Sequence, residues 1–190
     1  MAVLGTVDPE KNPELKKVYD EIAASRGWIS NAMKSLANAP EGLRRFAHFG
    51  DYVRYRTELT ERLVELAIVT IGHKVRYAAT HHGQLAVQAG IPQAAVDEIL
   101  QGKVPASLPE VEQLAVRYVL EFASADSVSD ATYAAIRKHL SDRQVTDLTL
   151  VAAYYLAYGT MIKGFRVELE SRDKLDIEMK WQKAHIERTQ

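Results

Sequence analysis

The chain has 190 residues, of which 47% are hydrophobic, and its 24 basic and 25 acidic side chains leave a formal charge of -1. That length suffices to bury a sizeable core in one domain. Because the basic residues are scattered rather than grouped, no electrostatic footprint for a phosphate backbone is present, and nucleic acid is not expected as a partner. Cysteine is absent, which excludes disulfides, thiolate metal ligands, nucleophilic thiols and redox pairs built from this chain's own side chains.

The opening MAVLGTVDPEKN has no charged leader followed by an apolar run, so a cytoplasmic location is expected. Asn12-Pro13-Glu14 supplies a cap, a proline at the first helical position and an early acid, predicting a helix toward Arg26. Pro40 opens the next helix, EGLRRFAHFGDYVRYR, with Leu43, Phe46, Ala47, Phe49 and Val53 on its inner side. Thr60 caps another, and Gly72 breaks or bends it. The following segment runs to Gly90, where Ile91-Pro92 ends it. Ser107-Leu108-Pro109-Glu110 and Ser141-Asp142-Arg143-Gln144 read as capping boxes, with Ser129-Asp130 starting a helix between them.

The most apolar tract, Leu148 to Ile162, is interrupted by threonines and glycine and is shorter than the roughly 18 residues of a bilayer span. It is expected as a buried helix, and no membrane partner is expected. Tyr154, Tyr158, Met161 and Phe165 recur on it at helical spacing, as core or as the wall of an apolar pocket. Near the C-terminus, LDIEMKW (Leu175 to Trp181) alternates apolar and polar residues with the period of a strand. It is either an extended arm laid on a neighbouring subunit or a frayed tail. The fold class expected is all-α.

Candidate chemistry centres on the segment from Leu59 to Gly90. Val75, Ala78, Ala79, His82, Leu85, Ala86 and Ala89 trace one helical face, so His82 points inward. It is either an acid–base group in a pocket or a core histidine satisfied by a backbone carbonyl. His81 lies on another face, toward water or a partner subunit. Glu65 sits in a helix apolar nearly all round and needs an interior partner, which His82 or Arg62, one turn back, can supply. Tyr77 is about 140° around an ideal helix from His82 and is read as a pocket or interface residue. Arg54, Arg56, Arg62 and Arg76 flank the segment and can bind an acidic substrate, Arg62 and Arg76 being the better placed. His73 and His81 are roughly 12 Å apart along a helix, too far to share a metal, and no metal site is expected.

The run LTERLVELAI, with Tyr77, His82, Ala86 and Gly90 at their spacing, resembles the carboxymuconolactone decarboxylase family, whose helical domain is shared with AhpD-like alkylhydroperoxidases. NAMKSLANAPEGLRRFAHFGDYV looks like that family's N-terminal helices, and VSDATYAAIRKHLSDRQVTDLTLVAAYYLAYG like its C-terminal ones. The resemblance implies an AhpD-like helical bundle over residues 1–170, an arm or tail over 171–190, and association into trimers or hexamers. The chain departs from the pattern at named positions. Val75 and Ala78 stand where the peroxidase branch has its cysteines, which excludes a thiol peroxidase mechanism. Ala78 and Ala79 replace the Glu and Trp of the decarboxylase branch, and the segment from Glu65 to Tyr77 is about two residues short.

The resemblance implies an enzyme acting on a small carboxylated lactone or related acid by cofactor-free acid–base chemistry. His82, Glu65 and Tyr77 are its expected catalytic residues, and Arg62, Arg76 and His81 its substrate-binding ones. In that scheme Glu65 holds the useful tautomer of His82. The alternative is a ligand-binding or non-catalytic member that has lost the catalytic pattern.

Overall fold

The computed structural model describes residues 4–189, with side chains described through 177 and at 179–181 and 184. After a single 3-10 turn, Pro9–Lys11, come α1 (Pro13–Arg26), α2 (Asn31–Lys34), α3 (Pro40–Tyr55), α4 (Glu61–Gly72) and α5 (Arg76–Gln88). They are followed by α6 (Gln93–Leu100), α7 (Glu110–Ser124), α8 (Asp130–Ile136), α9 (Asp142–Phe165) and α10 (Arg172–Thr189), with no strand among the described residues. Packing divides the chain into two compact units, Met1–Asp51 with Thr160–Gln190, and Tyr52–Gly159.

Most helix starts follow the sequence signals. The Asn12 side chain accepts from the Leu15 N–H, Thr60 from Leu63 and Ser129 from Thr132. Ser141 and Gln144 bond reciprocally, each side chain to the other's backbone N–H, which satisfies two orphan donors of α9. The box expected at Ser107 does not form. Helix α7 begins at Glu110 without a side-chain cap, and Gln113 turns back to donate to the Ala106 and Leu108 carbonyls.

The strand-like alternation of Leu175 to Trp181, read as an extended arm or a frayed tail, gives no extended segment, because these residues lie within α10. Leu175 and Met179, four residues apart, turn inward while Ile177 between them stays 56% exposed. A lone strand has no ladder for its N–H and C=O groups, whereas a helix satisfies them locally. Helix α10 packs on α1. At Gly27, which ends α1 with φ of 76°, a Cβ would overlap the Trp181 indole.

In the second unit α4 is the central element. Every residue from Leu63 to Gly72 is buried, and the helix packs chiefly against α5 and α7. Gly72 permits this closeness, since a Cβ there would stand 3.1 Å from the Ala79 backbone. Helix α9 approaches in the same way, with Gly159 against the Val75 side chain. Its 24 residues are long and apolar enough to cross a bilayer by length and composition, but half of its most apolar stretch is buried within the protein. Near its start it carries the fully buried Asp147.

Asp147 ties the end of α3, the following loop and α9 together. Tyr52 donates to its Oδ1 at 2.5 Å, the Glu58 N–H to its Oδ2 at 2.9 Å, and Arg143 lies 3.2 Å from Oδ2. Burial pushes this carboxyl up, but the hydrogen bonds from Tyr52 and Glu58 together with Arg143 hold it below its ordinary value. A lowered native pKa stabilises the fold above the unfolded value of about 3.9, and this contribution is lost as pH falls through the lowered value. Asp147→Asn should therefore cost about 1–3 kcal/mol at neutral pH and flatten the decline of stability below pH ~4, as followed by urea unfolding at a series of pH values. Gly27→Ala should cost about 1–2 kcal/mol through its left-handed backbone alone, and red-shift Trp181 emission in a Trp28→Phe background as α10 loosens.

Candidate functional site

Within the second unit, three helices bring one carboxylate, one guanidinium and one imidazole together. Glu65 has no exposed surface, because α4 is apolar on every side around it. His82, seventeen residues later on α5, places Nδ1 3.1 Å from Glu65 Oε2. From the other side Arg54, at the end of α3 and 1% exposed at its side chain, sets Nη2 2.6 Å from Glu65 Oε1 and 2.9 Å from Glu61 Oε1. The Arg54–Glu65 approach is a charge contact whose angles fall outside hydrogen-bond geometry. Accordingly Glu65 Oε1 accepts no aligned hydrogen bond, and Arg54 Nε and Nη1 are buried without an acceptor.

The electrostatics fix the protonation of Glu65. Burial alone would push its carboxyl up, but the adjacent Arg54 and His82 outweigh that penalty and hold it below the ordinary carboxylate range. Arg54 loses hydration as well, and Glu65 and Glu61 more than compensate, holding it well above its usual value. An ionised carboxylate only accepts, so His82 Nδ1 must donate to Glu65. Nε2 is then the ring nitrogen left facing away from Glu65. It makes no hydrogen bond within the described chain and is not sealed off, since the His82 side chain keeps 10% exposure. The Tyr155 ring meets the imidazole edge-on, with centroids 5.0 Å apart. Tyr155 lies one turn before Gly159, where α9 closes on the start of α5.

Of the residues singled out by sequence, Glu65 and His82 are brought into contact and Arg62 is not. Arg62 instead forms a two-point bond with Glu112 of α7, Nε to Oε1 at 2.8 Å and Nη2 to Oε2 at 2.9 Å. Of the two partners offered for Glu65, His82 is the one met and Arg62 is not, and Arg54 supplies the guanidinium. His81, expected to face outward, is 4% exposed and stacks on Tyr77, with ring centroids 4.3 Å apart. Tyr77 is itself buried, and Arg76 is exposed. His73 reaches the Leu100 carbonyl. No cluster of three metal-ligating side chains occurs among the described residues.

Sequence reasoning ranked Arg54 below Arg62 and overlooked Glu61 and Tyr155. A signal for Arg54 existed. Leu43, Ala47, Gly50 and Arg54 fall at offsets of four, seven and eleven, and all four are buried, so the arginine continues the inner stripe of α3. Glu61, one turn before Glu65, shares its helix face. Tyr155 carried no such mark, since it stands beside the aromatic stripe rather than on it. Of that stripe Tyr154 is buried, while Tyr158, Met161 and Phe165 are half-buried.

Solved structures place this architecture. An AhpD-core, peroxidase-related protein from Ralstonia eutropha JMP134 is similar over 92% of this chain and 94% of its own, at 17% identity and a TM-score of 0.77. The fold is AhpD-like. A peroxidase-related protein from Silicibacter sp. TM1040 matches over 89% and 91% of the two chains (16% identity, TM-score 0.75). The debrominase Bmp8 matches over 93% and 97% (14% identity, TM-score 0.70). No family model matches the sequence, and no curated protein matches it significantly. At these identities the AhpD-like fold is established, and the chemistry must be argued from the side chains.

Replacing Glu65 by Gln should leave Arg54 buried with only Glu61 to balance it. The expected loss is about 3 kcal/mol of unfolding free energy at neutral pH, measured by chemical denaturation. A loss below about 0.5 kcal/mol would show that the buried pair does not hold these helices.

Proposed function

We propose that the chain is an acid–base enzyme acting on a small unsaturated organic acid, with His82 Nε2 as the proton-transferring atom. The observation that carries this reading is the Glu65–His82 contact, in which an ionised, fully buried carboxylate orients the imidazole of His82, a residue itself buried to 8% exposure. Such an arrangement fixes the tautomer and stabilises the imidazolium that forms during proton transfer.

The resemblance favours a carboxylated lactone as substrate. In that reaction the bond to the departing carboxylate breaks, carbon dioxide leaves, and the electron pair passes into the conjugated carbonyl. Protonated His82 delivers its Nε2 proton to the resulting carbanion and recovers one from water. Glu65 acts by positioning and Tyr155 by walling the ring. Tyr77 and His81, stacked on one another, belong to the flank of the site. Arg62 is held by Glu112, which leaves the exposed Arg76 to orient a substrate carboxylate. A Cys-to-Ala variant of the debrominase of the same fold is recorded in complex with 2,3,4-tribromopyrrole (TM-score 0.73, 10% identity), which supports a small unsaturated ring as the ligand class. Association of copies through apolar helices belongs to the same proposal.

A second reading, ligand binding without turnover, is favoured by the engagement of Arg62, since one expected anion-binding group is already neutralised. The two separate in one experiment. Wild type, His82→Ala and Glu65→Gln are incubated with a panel of carboxylated lactones while carbon dioxide release and calorimetric binding are followed. The enzyme reading expects turnover by wild type and a fall of roughly 10²- to 10⁴-fold in kcat for folded His82→Ala. Equal turnover by that variant removes His82 from the chemistry, and binding without turnover by wild type supports the second reading.

A further inference from the structure

The first unit holds a cavity that shares no residue with the His82 site. Its volume is about 520 Å³, within the range of small-molecule sites. The walls come from five segments: Val7 of the N-terminal stretch, Tyr19 of α1, Trp28 and Ile29 of the turn between α1 and α2, Lys34 of α2 and Lys174 of α10. Tyr19, Trp28 and Ile29 are only half-buried, so two aromatic rings and an aliphatic side chain remain available to a ligand instead of closing on one another.

The charge of the cavity is one-sided. Neither Lys34 nor Lys174 forms an ion pair with a described side chain, although acids elsewhere in this unit are paired, Glu10 with Lys16 and Glu21 with Arg44. No carboxylate lines the cavity. Lys174 interacts electrostatically with the adjacent exposed Asp173, but neither lysine is held in an ion-pair contact, and two such ammonium groups at the edge of an aromatic slot suit an anion attached to a flat apolar body: the rings take the body and the lysines the charge. The docking of α10 is part of the construction, because the Trp181 contact at Gly27 and the burial of Met179 hold the helix that carries Lys174.

We propose that this cavity is a second binding site, specific for a flat aromatic or conjugated monoanion, of which an aryl carboxylate is the simplest form. The proposal is independent of the chemistry assigned to His82. The test titrates the full chain with 1-naphthoate by isothermal calorimetry, alongside the neutral isostere 1-naphthalenemethanol, with circular dichroism confirming that each variant is folded. Saturable naphthoate binding is expected, weakened about fivefold or more in Lys34→Gln/Lys174→Gln. The alcohol should bind about tenfold more weakly than the acid, and His82→Ala should leave naphthoate affinity unchanged. Absence of saturation, equal affinity for acid and alcohol, indifference to the lysine substitutions, or loss of binding in His82→Ala would each overturn the proposal.

Discussion

The organisation of the second unit depends on a carboxylate that has no contact with water. Taking an ion of this kind out of solvent costs several kcal/mol unless charges are placed against it. Glu65 stands at the centre of an otherwise apolar helix, so those charges must arrive from neighbouring elements. Arg54 comes from the end of α3 and His82 from α5. A shift of either helix by a single turn, about 5 Å, would leave Glu65 unpaired. The ion pair therefore constrains the relative placement of three helices more sharply than hydrophobic burial does, because apolar contacts tolerate sliding and a buried charge does not. Incomplete hydrogen bonding of Arg54 fits this view. With Nε and Nη1 lacking acceptors, the guanidinium is held mainly by charge, a geometry retained at some cost in stability.

Small residues make the arrangement reachable. Gly72 lets Ala79 come within van der Waals distance of the α4 backbone, and Gly159 lets α9 settle against Val75. These two close crossings lie on either side of the start of α5, and they decide which of two adjacent histidines meets the carboxylate. Successive residues on a helix point about 100° apart. His82 turns toward Glu65 and the Tyr155 edge, whereas His81 turns onto the face of Tyr77 one turn earlier. Both are buried, so burial alone does not separate them. The partner each one meets does.

How far the site could be read from sequence follows from the range of the forces involved. Local signals were dependable: Asn12, Thr60, Ser129 and the Ser141–Gln144 pair all cap helices, because a cap is settled within four residues. The inward direction of Glu65 and His82 was equally legible, since a solidly apolar helix and an apolar stripe each specify a face. What failed was the choice of partner across helices. Arg62, one turn from Glu65 in sequence, finds a two-point partner in Glu112 on α7. Arg54, further away along the chain, is delivered by the inner stripe of α3. At the C-terminus the alternation of LDIEMKW outlined a strand, but with no sheet edge to join, backbone hydrogen bonding favoured a helix. At Ser107 an intervening proline became the residue before α7, displacing the serine from the capping position.

The AhpD-like fold is shared with peroxidase-related proteins, yet this chain contains no cysteine, and Val75 and Ala78 fill the positions where the resemblance would place a thiol pair. Both are buried, at 3% and 6% exposure. Val75 is also the side chain on which Gly159 closes, so that position serves the packing between α5 and α9. Beside it the charged apparatus persists: an ionised carboxylate, a guanidinium that keeps it ionised, and an imidazole oriented by it. A buried carboxylate and arginine are an expensive way to stabilise a core, since apolar residues of similar volume often do as well or better. Next to the His82 imidazole they set which ring nitrogen meets Glu65 and which faces away from it, and that orientation is what the proposed acid–base role rests on.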